Sequence, residues 1–371
     1  MKENKMIQKS GDNSNQYQIE NYYEGIPSTK LQTIIKEVRN IISEENKLLL
    51  DNMRIVASET AQQRLNNYTE VLIPRLVKAE LLTAFSEPHI QLLFKESEKT
   101  AICTDRKTDY EMLSELLVHK INKNEDYTIS AAIAKAISEV NNISEQAMMC
   151  LTLLFAITTY SPKSGNIKEG LSTLNNLYGH ILEHFDLPDN RNWIDNLEIV
   201  NALRISTIGN SKKIDDFWFE TLEGYSLLGI KKDSDKYNET ITKLTEAGLP
   251  TEILTENVLD SDYVRLEIPS EDTIEELYLT NMVDGNIVKT KLSDSQRQVL
   301  HNIYKEYNQQ TNKNKEKFKN ALNEFNNIKK IIEWWNNNII HFSFQITAIG
   351  RVLACTNAIR IDSSLPNVIF K

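Results

Sequence analysis

Ser144–Tyr160 reads SEQAMMCLTLLFAITTY, and its middle decides the fold. From Ala147 to Ile157 every residue except Thr152 is apolar, so no polar stripe recurs at the 3.6-residue helical period. A helix that is apolar all round must be buried on all sides. Ser144 is placed to cap its first turn by accepting a backbone N–H, and Glu145 suits the positive end of the helix dipole. Pro162 and Gly165 close it. The apolar run is too short to cross a bilayer, which takes about 20 residues. The stretch predicts the central helix of a soluble helical domain.

Helical patterning continues on both sides. Thr128–Asn141 is rich in alanine and isoleucine, and Ala131, Ala132, Ala134 and Ala136 allow a neighbour to come close. Helices are predicted over Glu87–Cys103 and Thr108–Asn122. Before them, Ser28 precedes the stripe Leu31, Ile34, Ile35, Val38, Ile41 and Ile42. A long pattern then runs from Ser43 to Phe85, where Pro74 is expected to kink or divide it. Downstream, residues 167–187 form an amphipathic helix stopped by Leu187-Pro188-Asp189, and a further helix fits 191–205. Ser293 opens another. Lys313–Asn336 places Phe318, Leu322, Phe325, Ile328, Ile332 and Trp335 on one face, a seam of coiled-coil spacing.

Residues 206–292 read differently. Phe217-Trp218-Phe219 is a packing anchor, Tyr263–Ile268 alternates like a strand, and Asp284-Gly285 suggests a tight turn. Residues 1–27 differ again: they are polar and turn-rich, and Tyr17, Ile19 and Tyr23 are spaced for an extended strand over 16–23. A lone strand is marginal in water and needs a partner. The fold class is therefore mainly α: an extended N-terminal arm (1–27), a helical domain (28–205), a mixed acidic segment (206–292) and a C-terminal helical module (293–371) that packs back on the first.

Net charge is −10, which argues against a general nucleic-acid binder. Residues 231–280 hold 13 acids against 5 bases, whereas 313–333 hold 6 lysines against 3 glutamates. The two stretches either attract each other or lie as separate solvated faces. Met1 is followed by a polar stretch, not by the apolar run of a signal peptide. Cys103, Cys150 and Cys355 form no C-x-x-C pair, the pattern of reduced thiols in a cytoplasmic protein.

Chemistry-bearing patterns are sparse. His180-Ile181-Leu182-Glu183-His184 matches H-x-x-E-H. Residues i and i+4 share a helix face, so His180 and His184 can share a metal while Glu183 activates its water. A bland reading competes: both histidines on the wet face of an amphipathic helix. His89, His119, His301 and His341 show no ligand spacing. Gly209-Asn210-Ser211-Lys212-Lys213 lacks the P-loop frame, and Gly224–Gly229 is out of register for a G-x-S-x-G elbow. Trp334 and Trp335 suit core packing or, alternatively, ligand stacking. No catalytic residue and no cofactor is assigned.

Two ends of the chain carry a resemblance. Gln8-Lys9-Ser10-Gly11-Asp12-Asn13-Ser14 resembles the opening Q-K-x-G-D-N-S run of an uncharacterised bacterial family known only by locus tags. Gln345-Ile346-Thr347, then Gly350, Ala354 and Asn357, is similar to its closing L-T-x-x-G-x-x-x-A-x-x-N pattern, with isoleucine where the family favours leucine. More weakly, the layout resembles the abortive-infection alpha family, a helical body followed by a threonine-glycine helix start. That resemblance implies a link to anti-phage defence and no catalytic residues.

The expected function is a non-enzymatic interaction or sensor protein of the bacterial cytoplasm. It would assemble with another copy or another protein through the arm (Gly11, Asp12, Asn13, Ser14, Tyr17, Ile19) and the 313–336 helix. The alternative is a metal-dependent hydrolase using His180, Glu183 and His184. A DNA-binding regulator is a third reading, disfavoured by the acidic balance.

Overall fold

The computed structural model describes residues 32–33, 36, 47–122, 127–183, 185–206, 208–283, 286–306 and 312–369. The chain divides into two compact units, Met1–Gln63 and Arg64–Lys371. In the first, residues 32, 33 and 36 are helical and exposed, and residues 47–63 belong to helix α1 (Lys47–Lys78). Pro74 does not divide α1, which runs on to Lys78. Glu80 then takes φ 58, and the Leu81 N–H reaches back to the Leu76 carbonyl, closing the end as glycine more often does.

The second unit is mainly α. After a 3-10 turn (Leu82–Ser86) come α2 (Pro88–Ile102), α3 (Lys107–Asn122) and α4 (Tyr127–Glu139), which pack on one another. α5 (Glu145–Thr159) follows. Ser144 caps it, its hydroxyl accepting the Ala147 N–H at 3.1 Å, and every residue from Ala147 to Ile157 is buried. The neighbours that bury it are α6 (Ile167–Leu182), α7 (Asn192–Ile199) and the last helix of the chain.

The helix expected over 191–205 stops at Ile199. Asn201 adopts φ 55, the chain turns, and β1 (Leu203–Ser206) begins. α8 (Ile214–Thr221) carries the expected anchor: Trp218 stacks on Tyr178 with ring centroids 5.9 Å apart, and Phe219 meets Phe318 edge-on. The chain then makes one helical turn, α9 (Glu223–Ser226), and enters a mixed lobe. Here β2 (Ile230–Lys231), α10 (Asp235–Glu246), β3 (Leu254–Asn257), β4 (Asp260–Leu266), β5 (Tyr278–Val283), β6 (Asn286–Lys291) and α11 (Asp294–Glu306) follow in order. β2, β4 and β3 form an antiparallel sheet in that order, and β5 and β6 a separate antiparallel hairpin. The Asp284-Gly285 turn between them lies outside the described residues.

The single helix predicted over 313–336 is two helices, α12 (Asn312–Asn323) and α13 (Asn326–Asn338), broken at Glu324–Phe325. Its apolar face is no free seam: Phe318, Leu322, Ile328 and Trp335 are buried in the chain's own core. β7 (Ser343–Ile346) pairs antiparallel with β1, and α14 (Ala348–Ile361) enters the core against α3, α4 and α5. The small residues Ala132 and Ala136 face that core.

Two cores result. One joins residues 68–225 with 318–358, so the C-terminal helices complete the same core as α2–α8. The other, within 227–304, belongs to the mixed lobe. The basic stretch is tied inward: Lys315 and Lys319 reach Asp216 at 2.8 and 2.9 Å, Lys319 reaches Asp215 at 2.5 Å, and Lys317 reaches Asp260 at 2.8 Å. Burial disfavours the Asp216 charge, but Lys315 and Lys319 outweigh it and hold the carboxyl below its ordinary value. Of the two readings left open for the charged stretches, attraction is realised within the chain at Lys317–Asp260. Among the described residues no helix is long and apolar enough to cross a membrane.

Candidate functional site

In the mixed lobe, Val264, Leu266 and Ile268 point to one side of the chain, as their alternation requires, and enter the second core. Arg265 points the other way and is buried as well. Its guanidinium donates to the carbonyls of Leu266 (3.1 Å) and Ile268 (2.6 Å), holding the turn that follows β4. Asn257 does the same for the other end, donating to the Leu227 and Leu228 carbonyls. The lobe seats on glycines of the helical body: a Cβ at Gly165 or Gly224 would strike the backbone of Glu267 or Pro269.

Between β3, the end of β4, the start of β5 and α11 lies a half-open pocket of about 240 Å³. Leu249, Ile253, Leu266, Leu279, Leu292 and Leu300 make its apolar surface. Its charged lining is acidic, Glu252 and Glu267. Glu267 accepts from the Asn166 side chain at 3.1 Å, whereas Glu252 is exposed and bonds to none of the described residues. β3 is an edge of its sheet, and no described strand pairs with its outer side. Sequence reading found the alternation and the acidity here, but not the pocket, which four separated segments close.

One wall is clasped by a histidine. His301 on α11 places Nδ1 2.8 Å from Glu271 and Nε2 3.0 Å from Glu275 on the 3-10 turn Glu271–Glu276. The hydrogen bond to Glu275 raises the imidazole pKa above its ordinary value, with burial opposing and Glu271 adding. Arg297 and Lys305 also face these carboxylates.

The other predicted residues are placed as follows. His180 is half exposed, with Nδ1 3.4 Å from Asp362 Oδ2. Asp362 is held below the ordinary carboxylate range, first by the Ser364 hydroxyl and only secondarily by His180. Glu183 follows the last residue of α6 and is exposed; His184 lies outside the described residues. Among the described residues no group of three or more His, Cys, Asp or Glu is arranged to hold a metal. Gly11, Asp12, Asn13, Ser14, Tyr17 and Ile19 also lie outside the described residues. Trp334 and Trp335 are packing residues. Both are buried, and their indole N–H groups donate to the carbonyls of Pro188 (2.9 Å) and Lys212 (3.0 Å). Burial pushes the Cys150 thiol up, as expected of an inert cysteine.

The C-terminal motif is structural. Thr347 caps α14, accepting the Gly350 N–H at 3.1 Å and donating to the Asn201 carbonyl at 2.6 Å. Gly350 lies against the Ala202 carbonyl, where a Cβ would collide. Asn357 donates to Thr152, the one polar residue of the buried run, at 2.8 Å.

No curated protein and no solved structure matches the chain. One family model matches residues 34–367, about nine-tenths of the chain, including Thr347, Gly350, Ala354 and Asn357; its description attaches no activity, ligand or partner. The chain belongs to that family, an uncharacterised one known by locus-tag-like names, in line with the resemblance its closing motif carries.

Proposed function

We propose that the protein is a non-enzymatic interaction or sensor component of the bacterial cytoplasm, linked to anti-phage defence, that works by binding another polypeptide. The observation that carries this reading is the edge of β3, beside an apolar pocket, which no described strand pairs within the fold. Several conspicuous polar groups, in contrast, are engaged inside it: Asn357 with Thr152, Thr347 with the 201–202 carbonyls, His301 with two glutamates. An unpaired edge is a template for another strand. The link to defence rests on the resemblance of the threonine-glycine helix start to the abortive-infection alpha family.

Assembly is assigned to the N-terminal arm, since the 313–336 seam is spent on the core. Light scattering tests it. The full chain should show a mass above that of one chain, and deletion of residues 1–25 should return it to one. An unchanged mass would remove the arm from the reading. The defence link is tested by plaque counts. Cells carrying the protein should yield fewer plaques for at least one phage in a panel, and equal counts throughout would remove the link.

A further inference from the structure

We infer that the cleft where the helical body, the mixed lobe and the C-terminal tail meet binds a small zwitterion with an apolar body, the chemistry shared by a free apolar amino acid and a short apolar peptide. This goes beyond the polypeptide-binding reading above and stands independently of it.

The cleft is half open, holds about 360 Å³ and is built by segments far apart in the chain. The body supplies the end of α5 with the loop after it, 159–163, and the junction of α8 and α9. The lobe supplies Pro269 and the 3-10 turn Glu271–Glu276, and the tail after α14 supplies Pro366 and Val368. Hydrogen bonds hold these walls in place. The Gly224 N–H donates to the Pro269 carbonyl at 3.1 Å, and a Cβ at Gly224 would strike Pro269. The Tyr225 hydroxyl donates to the Ser164 carbonyl, and the Tyr160 hydroxyl to the Pro366 carbonyl at 3.4 Å. A cleft whose walls are fixed by the fold's own hydrogen bonds is preformed, and its volume falls within the roughly 300–1,000 Å³ of small-molecule sites.

The lining defines the occupant's chemistry. Leu222 and Tyr225, both buried, and Tyr160 and Val368, both half-buried, give it a surface for an apolar body. Of the residues that line it, Lys163 is the only basic one and Glu276 the only acidic one. Lys163 comes from the body and Glu276 from the lobe. Both are exposed, and neither is paired with the other or with any other described residue. A ligand of one charge sign would engage one of them and leave the other to water. A zwitterion engages both, its carboxylate at Lys163 and its ammonium at Glu276. The hydroxyls of Thr159 and Ser161 also have no partner among the described residues, and a hydroxyl can donate to a carboxylate or accept from an ammonium.

Isothermal titration calorimetry of the full chain with L-phenylalanine and with L-leucyl-L-leucine tests the inference. Saturable binding of at least one is expected, and the tighter of the two identifies the source as a free amino acid or a peptide. Lys163→Met and Glu276→Gln should each weaken that binding about tenfold, the scale of one lost charge-assisted hydrogen bond. Both positions are exposed, so neither change removes a packing contact the fold needs. Glu252→Gln, at the other pocket of the lobe, should leave binding unchanged. Converting the ligand's carboxylate to an amide should cost as much affinity as Lys163→Met, and Lys163→Met should not weaken the amide further. N-acetylating its ammonium should stand in the same relation to Glu276→Gln. The inference is overturned if neither zwitterion binds saturably below about 10 mM. It is also overturned if the amide and N-acetyl forms bind as tightly as the parent, or if Lys163→Met and Glu276→Gln cost no more than Glu252→Gln. Solution mass and plaque counts, which test the polypeptide reading, do not depend on this cleft.

Discussion

Gly350 shows how much one residue position can decide. It is the third helical residue of α14, it donates its N–H to the Thr347 cap, and it touches the Ala202 carbonyl at the turn that Asn201 makes with φ 55. Gly350→Val should therefore destabilise the fold by about 2 kcal/mol, since overpacking a closed contact costs roughly 1–3 kcal/mol. An unchanged urea midpoint would contradict the contact. Asn357 belongs to the same motif and bonds Thr152. Asn357→Leu leaves a buried hydroxyl with one partner fewer and should cost about 1–3 kcal/mol. A double-mutant cycle with Thr152→Val should be non-additive by more than about 0.5 kcal/mol; additive losses would contradict the bond. The sequence made both residues conspicuous, Thr152 as the polar exception in an apolar helix and Asn357 as a motif end. That they meet was not readable, because 205 positions separate them.

Elements were legible where local pattern and burial agree. The Ser144 cap, the all-round burial of α5 and the Thr347 cap follow from residue types alone. The break between α12 and α13 was hidden because Phe318, Leu322, Phe325, Ile328, Ile332 and Trp335 keep helical spacing across it. What makes the break is distant: Asn175 on α6 accepts the Asn327 N–H at 2.9 Å, and the Asn327 side chain donates back to its carbonyl. Likewise, nothing in 191–205 announces that Leu203–Ser206 finds a strand partner at Ser343–Ile346. The His301 clasp is an element-scale device with a definite pH sign. Its folded pKa is raised, so its contribution is full below the ordinary imidazole value of about 6.5 and is lost as pH rises through the folded value. Glu271 and Glu275 face it, and Arg297 and Lys305 face those carboxylates in turn. The stability difference between the wild type and His301→Gln should be largest near pH 6, at most about 1 kcal/mol, and should shrink toward pH 8.5. Thermal melts across that range check it; a difference that is flat or grows with pH would contradict the clasp.

At the scale of the whole molecule, composition and patterning announced a mainly helical protein with an acidic mixed segment, and the structure has both. The partition into cores was not legible, because one core joins residues 68–225 to 318–358 around a lobe inserted between them. The pocket escaped for the same reason: its walls come from β3, β4, β5 and α11. The central claim is that this chain works by binding, not by metal-assisted catalysis at its H-x-x-E-H helix, whose first histidine faces Asp362. Metal analysis of the purified full chain tests that claim most directly. The account predicts zinc well below one ion per chain, unchanged in His180→Ala. About one zinc per chain, lost in His180→Ala, would contradict it and make His180 and Glu183 the start of an active site.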